Sequence, residues 1–100
     1  MGYAGLELDG QVAVVIGGTS GIGQVIAYGL AEAGADVIPT SRRAEQVENT
    51  ARQIEALGRH SLRVTSDVTD RASLQGLLDA AVKAFGKVDI MVNAAGPGNR

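Results

Sequence analysis

Val12, Ala13, Val14, Val15 and Ile16 form an unbroken aliphatic run that ends directly in Gly17 and Gly18, and this junction constrains the chain more than any other stretch. A run without alternation reads as a strand buried on both faces, the condition of a parallel sheet with helices above and below. Beyond the glycines, Ile22, Val25, Ile26, Leu30 and Ala33 recur at helical spacing, and Gly34 stands where a left-handed C-terminal cap would sit.

The alternation continues to the end of the chain. Residues 35–40 predict a second strand, with an irregularity near its end because Pro39 has no N–H to donate. Val47, Ala51 and Ile54 mark a second helix that Gly58 terminates, and residues 61–66 supply a short third strand with Asp67 just beyond it. Thr69 or Asp70 caps a third helix whose inward stripe is Leu74, Leu77, Leu78, Ala81 and Phe85, closed by Gly86. Val88, Ile90, Met91 and Val92 make a fourth strand.

This βαβαβαβ pattern predicts an α/β fold: a doubly wound parallel sheet, Rossmann-like, with strand order 3-2-1-4 and truncated after the fourth strand. Residues 1–100 form part of a single domain, since no linker, repeat or low-complexity tract divides them. In that order the switch point falls between the first and fourth strands, so residues 17–23 and 93–98 open onto one crevice.

Composition removes several function classes. Zero cysteines exclude disulfides, thiolate metal sites and a cysteine nucleophile, and the single histidine, His60, argues against a histidine-built metal centre; no metal is expected. A net charge of −2 with two tyrosines and one phenylalanine offers neither the field nor the stacking surface that nucleic acid requires. The longest aliphatic run is too short to span a bilayer, and the first residues, with Glu7 and Asp9, lack the pattern of a secretory signal. A cytoplasmic protein with no membrane partner is expected.

Gly17, Gly21 and Gly23 have the spacing Gly-x-x-x-Gly-x-Gly between a strand and a helix. Glycines let the backbone turn sharply and approach a diphosphate, while N–H groups at the helix start face the anion. The Thr19 and Ser20 hydroxyls add donors. A P-loop is excluded because no Lys-Ser or Lys-Thr follows the glycines. The alternative is a tight turn that binds nothing.

Three segments, taken together and in order, resemble the short-chain dehydrogenase/reductase family: residues 14–23, the pair Asp67 and Val68, and residues 92–96, Val-Asn-Ala-Ala-Gly. The chain departs from the family at Ile16, where Thr is usual, and at Ala94, where a second Asn is frequent. The resemblance implies that Gly17, Thr19, Ser20, Gly21, Ile22 and Gly23 surround a pyrophosphate and the adjoining ribose. It implies that Asp67 and the Val68 backbone hold the adenine edge, and that Asn93, Ala94, Ala95 and Gly96 steady the sheet and pass beside the cofactor ribose. Asp67 is otherwise a turn residue, and Asn93 otherwise purely structural.

Cofactor choice is decided just past the second strand, where a carboxylate binds the ribose hydroxyls of NAD and repels the phosphate of NADP. Here Ser41, Arg42 and Arg43 stand instead. A guanidinium makes a bidentate, charge-assisted contact with phosphate, so NADP is expected over NAD. The competing reading makes both arginines solvated residues that open the second helix.

Relatives of this kind use a Tyr, a nearby Lys, a Ser and a further Asn for hydride transfer between nicotinamide and a carbonyl or alcohol. None of these is identifiable in the 100 residues, and no catalytic residue is assigned; alone they are expected to be inactive. The leading expectation is the NADP(H)-binding portion of a dehydrogenase or reductase acting on a small-molecule carbonyl or alcohol. A longer reading frame with Tyr-x-x-x-Lys separates it from a non-catalytic dinucleotide-binding or regulatory module. A methyltransferase shares the glycine loop, but Ser41 stands where it would want an acid. With the fourth strand an exposed apolar edge, a homo-oligomer is expected.

Overall fold

The structure, a computed structural model, describes residues 7–95. Strand β1 (Val12–Ile16) leads to helix α1 (Gly21–Glu32), then β2 (Asp36–Thr40), α2 (Ala44–Ala56), α3 (Arg71–Phe85) and β3 (Ile90–Asn93). The sheet order is β2-β1-β3 and both pairings are parallel, with Val12 opposite Asp36 and Ala13 opposite Ile90.

All five residues of β1 are buried, as an unalternating central strand requires. Ala13 and Val15 pack with Ala27 and Ala31 of α1 and Ile54 of α2. Val12, Val14 and Ile16 face the other way, toward Leu77 and Ala81 of α3. Helices therefore cover both faces of a parallel sheet, and the α/β doubly wound class is established.

The expected third strand is not a strand. Residues 61–66 run beside β2 but form no ladder, so the described sheet has three strands and the expected fourth strand is β3. Pro39 supplies the physical reason. Asp36 and Thr40 bond toward β1, through Gln11 and Gly17, whereas the Val37 N–H donates to the His60 carbonyl at 3.1 Å and the Ser41 carbonyl accepts from the Ser66 N–H at 2.9 Å. By this alternation the backbone of residue 39 faces Leu62, and proline has no hydrogen to give it. Side chains fasten the segment instead: Thr40 Oγ1 donates to the Val64 carbonyl at 2.6 Å, and the Arg63 guanidinium bonds Glu48 and Glu55 of α2.

Helix α1 buries small residues. Gly23, Ala27 and Ala31, one turn apart, face the sheet, whereas Ile22 and Val25 are 76% and 70% exposed. Helix α3 is capped by Asp70, whose carboxylate accepts from the N–H groups of Ala72 and Ser73, and it ends at Gly86 with φ of 85°. Leu77 and Ala81 of its expected stripe are buried, and Leu74 and Phe85 pack against the same cluster. Among the described residues no helix is long and apolar enough to cross a membrane.

Candidate functional site

The C-terminal ends of β1 and β3 and the N-terminus of α1 meet at one side of the sheet, and a cavity of about 880 Å³ opens there. The glycine loop forms its floor, through Gly17, Thr19, Ser20, Gly21, Ile22 and Gly23. Ser41, Arg42 and Arg43, at the corner between β2 and α2, make one wall, and Asn93, Ala94 and Ala95 after β3 make the other.

Each part of the floor has a local cause. Gly17 has φ of 78° and Gly21 of 55°, the left-handed region that glycine occupies without a Cβ penalty. A Cβ on Gly23 would fall 1.9 Å from the Gly17 carbonyl oxygen, and one on Gly17 would fall 2.8 Å from the Ala95 nitrogen. The loop is thus closed on itself and on the chain that follows β3. A Cβ on Gly21, which lines the cavity, would meet nothing within 4 Å.

Ser20 is the N-cap of α1, with extended backbone, but its hydroxyl makes no capping bond. The first turn also holds no acidic residue. The positive end of the helix dipole is therefore uncompensated by any side chain of the first turn and faces the cavity, an arrangement suited to a bound anion.

The loop is tied to its surroundings at three points. The Gly17 N–H donates to the Thr40 carbonyl at 2.8 Å, and the Ala94 N–H donates to the Ile16 carbonyl at 2.8 Å. Thr19 is buried and its Oγ1 lies 2.9 Å from Ser41 Oγ and 3.2 Å from Gln46 Oε1. Asn93 Oδ1 accepts from the Ala95 N–H at 3.0 Å, so its side chain turns the backbone after β3 along the cavity wall.

Arg42 and Arg43 are exposed and both line the cavity. Asp67 lies beyond Arg42, in a second hollow of about 270 Å³ lined also by Thr65, Ser66 and Ser73. The hydroxyl and N–H of Thr69 both donate to Asp67 Oδ1. Those bonds, reinforced by the Arg42 charge, hold the Asp67 carboxyl below the usual carboxylate range. One oxygen of Asp67 thus organises its own turn. Val68 is 41% exposed and lines neither hollow, and Gly96 lies outside the described residues.

Three cavity residues escaped the sequence reading: Ile26, Gln46 and Val92. Val92 is implied by its position one residue before Asn93. Ile26 follows from helical spacing after Ile22. Gln46 carries no sequence signal, since only the turn from β2 into α2 brings it against Thr19.

Comparison with known proteins agrees with this geometry. The family model described as short chain dehydrogenase matches residues 11–100. The 2-dehydro-3-deoxy-D-gluconate 5-dehydrogenase of Escherichia coli (strain K12) is 43% identical over 90 residues, which cover 90% of this chain and 35% of that enzyme. The crystal structure of a hydroxysteroid dehydrogenase from Escherichia coli superposes with a TM-score of 0.88 at 38% identity, covering 96% of this chain and 41% of the other. A short chain dehydrogenase from Burkholderia cenocepacia J2315, in complex with NADP, gives a TM-score of 0.84 at 42% identity over 90% of this chain and 37% of its own. The chain spans about a third of the length of most of the first curated relatives it matches, and less of a longer one. By fold and by sequence, the chain belongs to the short-chain dehydrogenase family.

Proposed function

We propose that this protein is an NADP(H)-dependent oxidoreductase and that residues 7–95 hold most of its cofactor site. The observation that carries the reading is the cavity itself, where a helix start without a side-chain cap and a pair of arginines line one hollow. A dinucleotide has two anionic groups for those two features when its adenosine ribose is phosphorylated. NAD offers only the first.

In this reading the backbone of residues 17–23 receives the pyrophosphate, because the glycines that line the cavity carry no side chain to cover it and the α1 dipole favours negative charge. Ser41, Arg42 and Arg43 receive the ribose phosphate, with Arg42 set between the two hollows. Asp67 accepts from the adenine amine through the oxygen that Thr69 does not bond. Asn93, Ala94 and Ala95 run beside the inner ribose. When bound, the nicotinamide supplies the hydride chemistry, and the protein supplies binding and orientation. Its substrate is a carbonyl or alcohol. The groups that act on it lie outside these residues, since Tyr3 and Tyr28 are each followed four residues on by a glutamate, Glu7 and Glu32.

The binding of the Burkholderia relative to NADP and the oxidoreductase names of the curated relatives support this reading. Calorimetric titration with NADPH and NADH, on protein produced from the complete reading frame, tests it. Tighter binding of NADPH is expected. Equal affinities, or tighter NADH, would remove the phosphate from the corner at Ser41.

A further inference from the structure

Gln46 stands in the first turn of α2 and lines the larger cavity beside Ser41 and Arg42. Its carbonyl oxygen Oε1 accepts from Thr19 Oγ1 at 3.2 Å, while the same Thr19 oxygen lies 2.9 Å from Ser41 Oγ. Each hydroxyl has one hydrogen, and Oε1 only accepts. Both contacts are hydrogen bonds at once only when Thr19 donates to Gln46 and Ser41 donates to Thr19. Ser41 Oγ accepts in turn from the Arg43 N–H, at 3.4 Å.

This ordering has a consequence for the anion site. The hydroxyl hydrogen of Ser41 is committed to Thr19, which leaves Ser41 only its backbone N–H as a neutral donor for an incoming phosphate. Gln46 has two, on Nε2, and Nε2 has no hydrogen-bond partner among the described residues. The residue is half-buried on a helix rather than on a loop, so its amide is held at the cavity wall.

We propose that Gln46 is a specificity-determining residue of this site: Oε1 anchors Thr19, and the Nε2 hydrogens donate to the ribose phosphate held at the corner of Ser41, Arg42 and Arg43. The assignment rests on the NADP(H) reading of the cavity. It adds a neutral donor to the guanidiniums, and a phosphate dianion with its several acceptor oxygens accommodates both kinds. NAD has no phosphate at this position and gains nothing comparable from Nε2.

Gln46→Glu separates the two ends of the side chain. The carboxylate still accepts from Thr19, and a negative charge in the first turn of α2 is favourable to the helix, so the fold and the loop anchor are kept. The donor is replaced by a charge that repels phosphate. Calorimetric dissociation constants for NADPH and NADH on the wild type, Gln46→Glu and Gln46→Ala, each from the complete reading frame, test the assignment. For Gln46→Glu the NADPH constant is expected to rise about tenfold or more, with the NADH constant nearly unchanged. Gln46→Ala is expected to weaken NADPH more than NADH.

If Gln46 only anchors Thr19, Gln46→Glu binds both cofactors as the wild type does and Gln46→Ala weakens both alike. Either result overturns the assignment while the wild-type preference for NADPH still stands. A wild type that does not prefer NADPH overturns the cofactor reading and this assignment together.

Discussion

The place where a Cβ of Gly23 would sit lies 1.9 Å from the carbonyl oxygen of Gly17, so the two ends of the glycine loop touch through bare backbone. The first turn of α1 is pressed onto the end of β1, and only a residue without a side chain fits. Gly21 differs, because its Cβ would meet nothing within 4 Å and only its φ of 55° disfavours a substitution. Gly23→Ala is expected to destabilise the protein by about 1–3 kcal/mol, since a backbone atom must move to admit the methyl. Gly21→Ala is expected to cost about 1 kcal/mol through its backbone conformation alone. Yet it places a methyl in the approach to the loop and weakens dinucleotide binding. Denaturant midpoints and cofactor titrations on the two variants check the division. Equal effects on stability would contradict it.

Arg42 faces both hollows, so its charge belongs to the corner and not to α2. Arg42→Ala is expected to weaken NADP(H) binding by roughly 1.5–3 kcal/mol, the scale of a hydrogen bond to a charged group, with little effect on NAD(H). Titration of both cofactors decides it. Equal losses for the two would show that Arg42 does not read the phosphate.

Much of this arrangement is legible in the sequence, and the rest is not for identifiable reasons. Val12–Ile16 carries its own explanation, because an unalternating aliphatic run ending in glycine fits little else. The pattern of residues 61–66 also looks like a strand, but a ladder needs donors on its neighbour, and Pro39 removes one where the two chains face each other. Helix α1 misleads in another way. Its large aliphatics trace a helical stripe, yet Gly17 and Gly23 force so close an approach that the small residues turn inward and Ile22 and Val25 outward. Gln46 had no signal at all, since contact with a residue 27 positions away is a property of the corner and not of local spacing.

Acid is expected to unfasten the segment beside β2. The Arg63 guanidinium bonds to Glu48 and Glu55 and holds both carboxyls below their ordinary 4.5, with Arg52 adding to the effect on Glu48. Groups whose pKa is depressed on folding stabilise the fold above the unfolded value, and that contribution is lost as pH falls through the folded value. Stability is therefore expected to decline from about pH 4.5 downward. Arg63→Gln should flatten that decline. The pairs are exposed, so added salt should flatten it too. Thermal midpoints across an acid series, with and without salt, measure both. An unchanged slope in Arg63→Gln would assign the acid sensitivity elsewhere, with Asp67 and Asp89 the next carboxylates held low.

The last expectation concerns the sheet edge. β3 pairs with β1 on one side and with no strand on the other among the described residues, and Met91 on it is 46% exposed. Ile22 and Val25 of α1 and Val82 of α3 add exposed aliphatic surface on the helices that cover the two faces. An unpaired apolar edge strand templates pairing with another chain, and no charge or proline within Ile90–Asn93 blocks it. The 100 residues on their own are therefore expected to associate rather than remain monomeric. Met91→Lys places a charge on the edge strand and is expected to shift the population toward monomer, because pairing would then bury it. Sedimentation velocity on the two chains reads the outcome directly. A compact monomer for the unsubstituted chain would show that the edge is harmless, and unchanged association in Met91→Lys would move the contact to the aliphatic surface of α1.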